Sequence, residues 1–167
     1  MKSELLRDRK KEKGQALVEF ALTAILFLFL IFGIIEVGRM VFSVAAIRTA
    51  AREGARYGSA AGGLASGIDD FYEDCEGIRA AATRIGNYAG LQDWKVDVSF
   101  DDGESPSIFI LCDDLDPDAN PDPIELGHRV VVTTTGTIVP FLGLLPLPEF
   151  TYSSTSRRTI VKYVIIE

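Results

Sequence analysis

The feature that most constrains this chain is an uncharged apolar run of 16 residues, Phe20–Ile35. As a helix it would extend about 24 Å, which is shorter than the roughly 30 Å hydrocarbon core of a bilayer. Including residues 16–18 before the run and residues 37–38 after it restores a spanning length. That extension places Glu19 and Glu36 near the two edges of the membrane. The run therefore predicts a single membrane-spanning helix.

The charges on either side of this run are segregated. Residues 1–13 carry six basic and three acidic side chains, whereas residues 69–125 carry 16 acidic and three basic ones. The net charge of -7 argues against a nucleic-acid-binding protein, because such a protein needs a basic face. A basic start, an apolar run and an acidic remainder are typical of a single-pass protein whose basic end stays in the cytoplasm. We therefore expect a single-pass membrane protein with an extracytoplasmic C-terminal part.

The N-terminus has three interpretations. A secretory signal peptide would use the small residues Ser43, Val44 and Ala45 as its cleavage site, but these lie far beyond the apolar run. An uncleaved signal anchor is the second interpretation. The third depends on the residues from Gly14 to Phe20.

Gly14 closes the basic start, and Glu19 and Phe20 are the fifth and sixth residues after it. This pattern resembles the cleavage motif of type IV prepilins, particularly the Flp-type pilins and pseudopilins of tight-adherence systems. Glu36–Arg39 and the segment Thr49–Tyr57 are similar to the N-terminal signature of TadE-like pseudopilins. The resemblance extends over about residues 14–58.

The resemblance implies both a processing site and a function. A prepilin peptidase would cut between Gly14 and Gln15 on the cytoplasmic side, with Glu19 and Phe20 completing the motif. Glycine suits such a site because it has no side chain to obstruct an extended backbone. Glu19 would then meet the free α-amine of a neighbouring subunit. The implied function is that of a pseudopilin or minor pilin in pilus assembly, with the membrane, the peptidase and other pilins or pseudopilins as partners.

The rest of the chain predicts an α+β fold of the pilin-like kind. We expect a leader over residues 1–14, a long helix over 15–58 and an extracytoplasmic domain over 59–167. In that domain a small-residue linker (58–67) and a second helix (70–88) precede a small antiparallel sheet. Strand patterns occur at Trp94–Phe100, Ser107–Cys112, Arg129–Val139 and Phe150–Val164. The proline-rich segment 140–148 is either a packed loop or an exposed apolar contact.

Charged residues of the long helix follow the helical repeat. Glu36 and Arg39 are three residues apart, and this spacing predicts an ion pair. Arg48, Arg52 and Arg56 recur every fourth residue and therefore form one stripe. The stripe is either a docking surface for an acidic partner or lipid headgroups, or a solvated face that the acidic domain partly neutralises. We favour the solvated face.

Cys75 and Cys112 are the two cysteines of the chain, and both follow the apolar run. An oxidising compartment would allow them to form one disulfide, which we treat as a candidate. Two buried free thiols are the alternative.

Asp114, Asp116, Asp118 and Asn120 occupy alternate positions in a proline-containing acidic segment. Alternate carboxylates are a weak pattern for calcium, and the EF-hand glycine is replaced here by Ala119. This pattern supports an alternative function, that of an anchored extracytoplasmic domain that binds calcium or a surface ligand. His128 is the single histidine, and no catalytic or cofactor motif is present in the sequence. We therefore expect neither an enzyme nor a cofactor.

Overall fold

The fold was described from a computed structural model that covers residues 2–61, 70–104, 108–116, 119, 121–140 and 148–161. Helix α1 runs over Lys2–Gly58 and helix α2 over Cys75–Gly86. The strands are β1 (Gln92–Asp101), β2 (Ile108–Leu111), β3 (Arg129–Ile138) and β4 (Phe150–Thr159). A long helix, a short helix and a four-stranded antiparallel sheet confirm the predicted α+β class.

The chain divides into two compact units, and the division falls in α1 between Arg39 and Met40. By length and composition, the part of α1 over Gly14–Gly58 could cross a membrane. Its apolar side chains are exposed, as Phe20 shows at 74%. Arg39 Nη2 lies 3.1 Å from Glu36 Oε1, which confirms the predicted pair.

Helix α1 ends at Gly58, as the sequence predicts, but it begins before Gln15. The leader is rich in leucine, lysine, arginine and glutamate, all of which favour the helix, so the backbone is helical from Lys2. Of the predicted linker, residues 62–67 lie outside the described part of the chain.

Helix α2 begins at Cys75, so the predicted start at residue 70 is wrong. The reason is the cap: Asp74 Oδ1 accepts a hydrogen bond of 2.9 Å from the backbone N–H of Gly77. After Gly86 the chain makes a 3-10 turn over Asn87–Ala89. Gly90 ends this turn with φ 60, a left-handed conformation that favours glycine.

The sheet has the strand order β2-β1-β3-β4, with every neighbouring pair antiparallel. Strands β1 and β2, which follow one another in the chain, therefore pair directly. Strand β4 ends at Thr159 and not at residue 164; residues 160 and 161 are not part of the strand, and residues 162–164 are outside the description. Residues 141–147 of the proline-rich segment are also outside it.

In the second unit, the core lies between one sheet face and the two helices. A Cβ added to Gly54 of α1 would lie 3.0 Å from Val132 Cγ1 and 3.3 Å from Ala82 Cβ. Small residues on α1 therefore let the strand and the second helix approach its backbone closely. The buried side chains of this core include those of Ala50, Ala51, Ala55, Ile78, Val98, Phe100 and Val130.

Candidate processing site and docking helix

The predicted processing residues Gly14, Gln15, Glu19 and Phe20 all lie on α1 and are all exposed. A Cβ added to Gly14 would meet nothing within 4 Å. The backbone carbonyl of Glu19 accepts a hydrogen bond of 2.9 Å from the Thr23 hydroxyl, one turn later on the helix. The segment is therefore sterically open, while cleavage itself stays a prediction.

Gly14 is helical in this structure. Cleavage here would require an extended backbone, so α1 would have to unwind locally at Gly14. Glycine in a helix interior costs about 1 kcal/mol relative to alanine, which makes Gly14 a weak point of the helix. The sequence thus provides both an unobstructed bond and a helix that opens there more easily.

The Glu19 carboxylate is exposed on an otherwise apolar helix. Leu17 and Phe20 beside it are 70% and 74% exposed. A carboxylate in hydrocarbon is costly unless a cation or a hydrogen-bond donor accompanies it. Among the side chains that the structure describes, none bonds to this carboxylate. Glu19 is therefore suited to a cation that another molecule or a new chain end supplies.

In the second unit, two hydrogen bonds join α1 to strand β3 and to the 3-10 turn after α2. The Thr134 hydroxyl of β3 donates a hydrogen bond of 2.9 Å to the backbone carbonyl of Ile47. The Ser43 hydroxyl donates to the backbone carbonyl of Ala89 at 3.4 Å. Both hydroxyls are buried, and the sequence analysis missed both contacts.

Arg48, Arg52 and Arg56 are exposed on one side of α1, as predicted. Arg48 Nε donates a hydrogen bond of 2.7 Å to the Tyr152 hydroxyl, and its guanidinium lies 5.4 Å from the centre of that ring. Arg56 pairs with Glu53 of the same helix; this hydrogen bond, ahead of the opposing effect of burial, lowers the pKa of Glu53. Among the described residues, Arg48 and Arg56 thus contact Tyr152 and Glu53, and not the acidic side chains of residues 69–125.

Part of this helix is similar to a known family. Residues 14–56 match the family of TadE-like proteins. The match begins at Gly14 and ends at Arg56, and it confirms the predicted resemblance over these residues. No curated protein and no solved structure matches the chain.

The TadE-like segment thus contains both the predicted processing residues and most of the small-residue surface that packs on the sheet. Together with the apolar helix, the match indicates a membrane-anchored protein associated with tight-adherence pili. The remaining residues, 57–167, lie outside the matched region.

Two tyrosine–aspartate hydrogen bonds hold the region that follows the TadE-like segment. The Tyr57 hydroxyl donates to Asp74 Oδ2 at 2.7 Å, and this bond, together with burial, raises the pKa of Tyr57 to about 12. The Tyr72 hydroxyl donates to Asp122 Oδ2 at 2.7 Å; burial first and this bond second raise the pKa of Tyr72. Both tyrosines are therefore neutral donors at physiological pH.

Cys75 and Cys112 form a disulfide in the structure, with their Cα atoms 5.9 Å apart. It joins the first residue of α2 to the residue after β2. One turn further along α2, Arg79 Nη2 lies 2.7 Å from both carboxylate oxygens of Asp113. The disulfide and the ion pair thus connect the same two elements.

The calcium candidates are only partly described. Asp114 and Asp116 are exposed, whereas Asp118 and Asn120 lie outside the described residues. Within the described ranges, no group of three His, Cys, Asp or Glu side chains could hold a metal ion. The calcium pattern therefore stays a prediction from sequence.

A buried carboxylate that the sequence analysis did not single out lies at the end of β1. Asp101 is 0% exposed, and its two oxygens lie 2.6 Å from Arg129 Nε and 3.2 Å from Arg157 Nε. Burial raises its pKa, but hydrogen bonds from Arg129 and from the Gly103 backbone outweigh burial, and the net pKa of Asp101 lies below its ordinary value. Asp101 and Arg129 are directly opposite in the β1–β3 register, so this pair could have been found by aligning the strands.

Proposed function

We propose that this chain is a pseudopilin or minor pilin of a tight-adherence pilus and acts without enzymatic activity. It is made with a leader, cut after Gly14 by a prepilin peptidase in the bacterial membrane, and joins the assembly through helix packing. The observation that carries this proposal is the TadE-like match, which begins at Gly14 and continues through the apolar helix.

The geometry of α1 supports a two-part subunit. Residues of its apolar part present exposed side chains such as Leu26, which is 72% exposed. Residues beyond Met40 instead bury small side chains against the sheet and bond to it through Ile47. One continuous helix therefore offers an apolar packing surface and also carries a folded domain.

Cleavage after Gly14 would create a positive α-amine on Gln15. Gln15 and Glu19 are four residues apart on α1, so they lie on the same helix face. The new amine and the carboxylate would both be presented to a neighbouring helix, where each offsets the cost of placing the other in lipid. In this proposal, processing and assembly are coupled because one creates the partner that the other needs.

The assembly role is tested with Glu19→Ala, followed by measurement of the fraction of the protein that co-purifies with assembled pilus components. We expect a strong loss of incorporation, because the substitution removes the carboxylate that would pair with the new α-amine. Glu149→Ala is the matched control, since Glu149 is an exposed carboxylate in the second unit. Equal incorporation of the Glu19→Ala variant and the control would contradict the proposed role of Glu19.

A further inference from the structure

The exposed face of α1 in the second unit contains a shallow groove of about 440 Å³. Apolar side chains line one end of it, and Val41 among them is 64% exposed. Two guanidinium groups line the other end. We call this surface the basic groove; it consists of Met40, Val41, Val44, Ala45, Arg48 and Arg52, with Thr49 between them.

A second exposed surface combines apolar and acidic side chains at the β2 edge of the sheet. Phe109 and Leu111 of β2 are 44% and 52% exposed, and Leu126 in the following loop is 69% exposed. His128 connects the strand to the loop: its ring lies 4.9 Å from that of Phe109, and its Nδ1 accepts a hydrogen bond of 3.0 Å from the Glu125 backbone. We call this surface the acidic edge; it consists of Phe109, Leu111, Glu125 and Leu126, and its charge is the exposed carboxylate of Glu125.

We propose that the basic groove of one copy binds the acidic edge of a second copy. The inference rests on the proposed assembly role and assigns a head contact to it. Each surface has exposed apolar side chains next to charges, and the charges of the two surfaces are of opposite sign. Opposite charges favour association and set its orientation, while burial of the apolar side chains in the interface stabilises the contact.

A symmetric contact between two basic grooves does not fit this pattern. Copies anchored through their N-terminal helices stand parallel, so a two-fold axis would place Arg48 and Arg52 against the same residues of the other copy. Facing like charges in an interface is costly. The favoured contact is therefore head-to-tail, and such a contact leaves one groove and one edge free for further copies.

The two surfaces lie at different heights along α1. On β3, Thr134 bonds to Ile47, and Val130 Cγ2 would lie 3.2 Å from a Cβ added to Gly58. The strand registers place Ile110, which lies between Phe109 and Leu111, level with Val130 and hence near the Gly58 end of α1. Along α1, Gly58 lies about 9 Å beyond Arg52 and about 15 Å beyond Arg48, at a rise of about 1.5 Å per residue. Each head-to-tail contact therefore shifts the next copy along the helix axis, as a filament requires.

The test uses the full chain in detergent micelles and a short bismaleimide crosslinker, which leaves the native disulfide in place. A chain carrying both Thr49→Cys and Leu126→Cys keeps both arginines of the groove and should give a ladder of dimers, trimers and larger products. A mixture of the two single variants should give dimers only, and each single variant alone should give no product. Crosslinking of the Thr49→Cys variant alone, or a double variant without a ladder, would overturn the proposal.

Charge reversal in the double-cysteine chain provides the second arm. Arg48→Glu should abolish the ladder, and adding Glu125→Arg should restore part of it. Arg84→Glu is the control, because Arg84 is 68% exposed and is not part of the groove; it should leave the ladder unchanged. A ladder that is insensitive to Arg48→Glu would contradict the proposal. Since no peptidase is present, failure here would leave processing after Gly14 unaffected.

Discussion

The Thr134 hydroxyl of β3 donates a hydrogen bond of 2.9 Å to the backbone carbonyl of Ile47 on α1. Both residues are fully buried, and the bond lies where the sheet packs on the helix. In a run of valines and threonines, this threonine faces the helix, whereas Thr133 on the other sheet face is only half-buried and its hydroxyl bonds to that of Thr155. The contact fixes the position of the sheet along the helix that carries it.

Thr134→Val should destabilise the domain by about 1 kcal/mol, because the side chain keeps its shape but loses a buried hydrogen bond. The Ile47 carbonyl retains its partner within the helix, so the loss stays moderate. The free energy of unfolding in detergent measures this effect. Thr133→Val is the matched control and should change it little; equal effects of the two substitutions would show that the Thr134 bond contributes nothing specific.

Gly86→Ala should destabilise the contact between α2 and β1. An added Cβ would lie 2.5 Å from the Trp94 ring, so the indole must move, at a cost of about 1–3 kcal/mol that exceeds the gain in helix propensity. Trp94 is the single tryptophan, so its fluorescence reports the displacement directly. Gly38→Ala is the control, because nothing lies within 4 Å of its added Cβ; an unshifted emission spectrum of the Gly86→Ala variant would contradict the expected clash.

Replacing both Cys75 and Cys112 by serine should lower the free energy of unfolding by about 3–4 kcal/mol, since the disulfide closes a loop of the unfolded chain. Maleimide labelling of the denatured native protein should modify neither cysteine before reduction and both after it. Arg79→Gln is a useful comparison, because it removes an exposed ion pair between the same two elements and should cost less than 1 kcal/mol, about 0.5 kcal/mol. Labelling of both thiols without reductant would refute the bond.

Asp101 should make the domain sensitive to acid. Its pKa in the folded protein lies below the ordinary value of 3.8, so its stabilising contribution is complete well above that pH and is lost as the pH falls through the folded pKa. Asp101→Asn should therefore reduce stability at neutral pH by about 1–3 kcal/mol and flatten the pH dependence below about pH 4. Unfolding curves between neutral and acidic pH measure both effects. If the Asp101→Asn variant unfolded in acid at the same pH as the original protein, the acid sensitivity would come from other carboxylates.

The sequence predicted the elements whose signal is local. Alternation in residues 94–100 and the β-branched run from Arg129 located two strands, and the absence of proline located the long helix. The start of α2 was missed because several acidic residues compete for the cap, and only packing selects Asp74. The leader was predicted as a separate segment, although its composition favours the helix that the structure shows.

The contacts that hold the second unit together were harder to predict, because they join residues far apart in the chain. Thr134 and Ile47 are 87 residues apart, and only the strand order and register bring them together. The same holds for Asp101 and Arg157, which meet across β3 because the sheet order is β2-β1-β3-β4. The predicted processing residues, by contrast, all lie within residues 14–20, so a short sequence motif was sufficient to identify them as candidates.

The most direct test of the proposed function is the N-terminal residue of the protein isolated from the membranes of cells that make the pilus. N-terminal sequencing, or the intact mass after extraction, should identify Gln15 as the first residue. The Glu19→Ala protein should be cut at the same position, which separates a role in assembly from one in recognition by the peptidase. A functional protein that still carries residues 1–14 would contradict the account and leave an anchored domain without a pilin's processing.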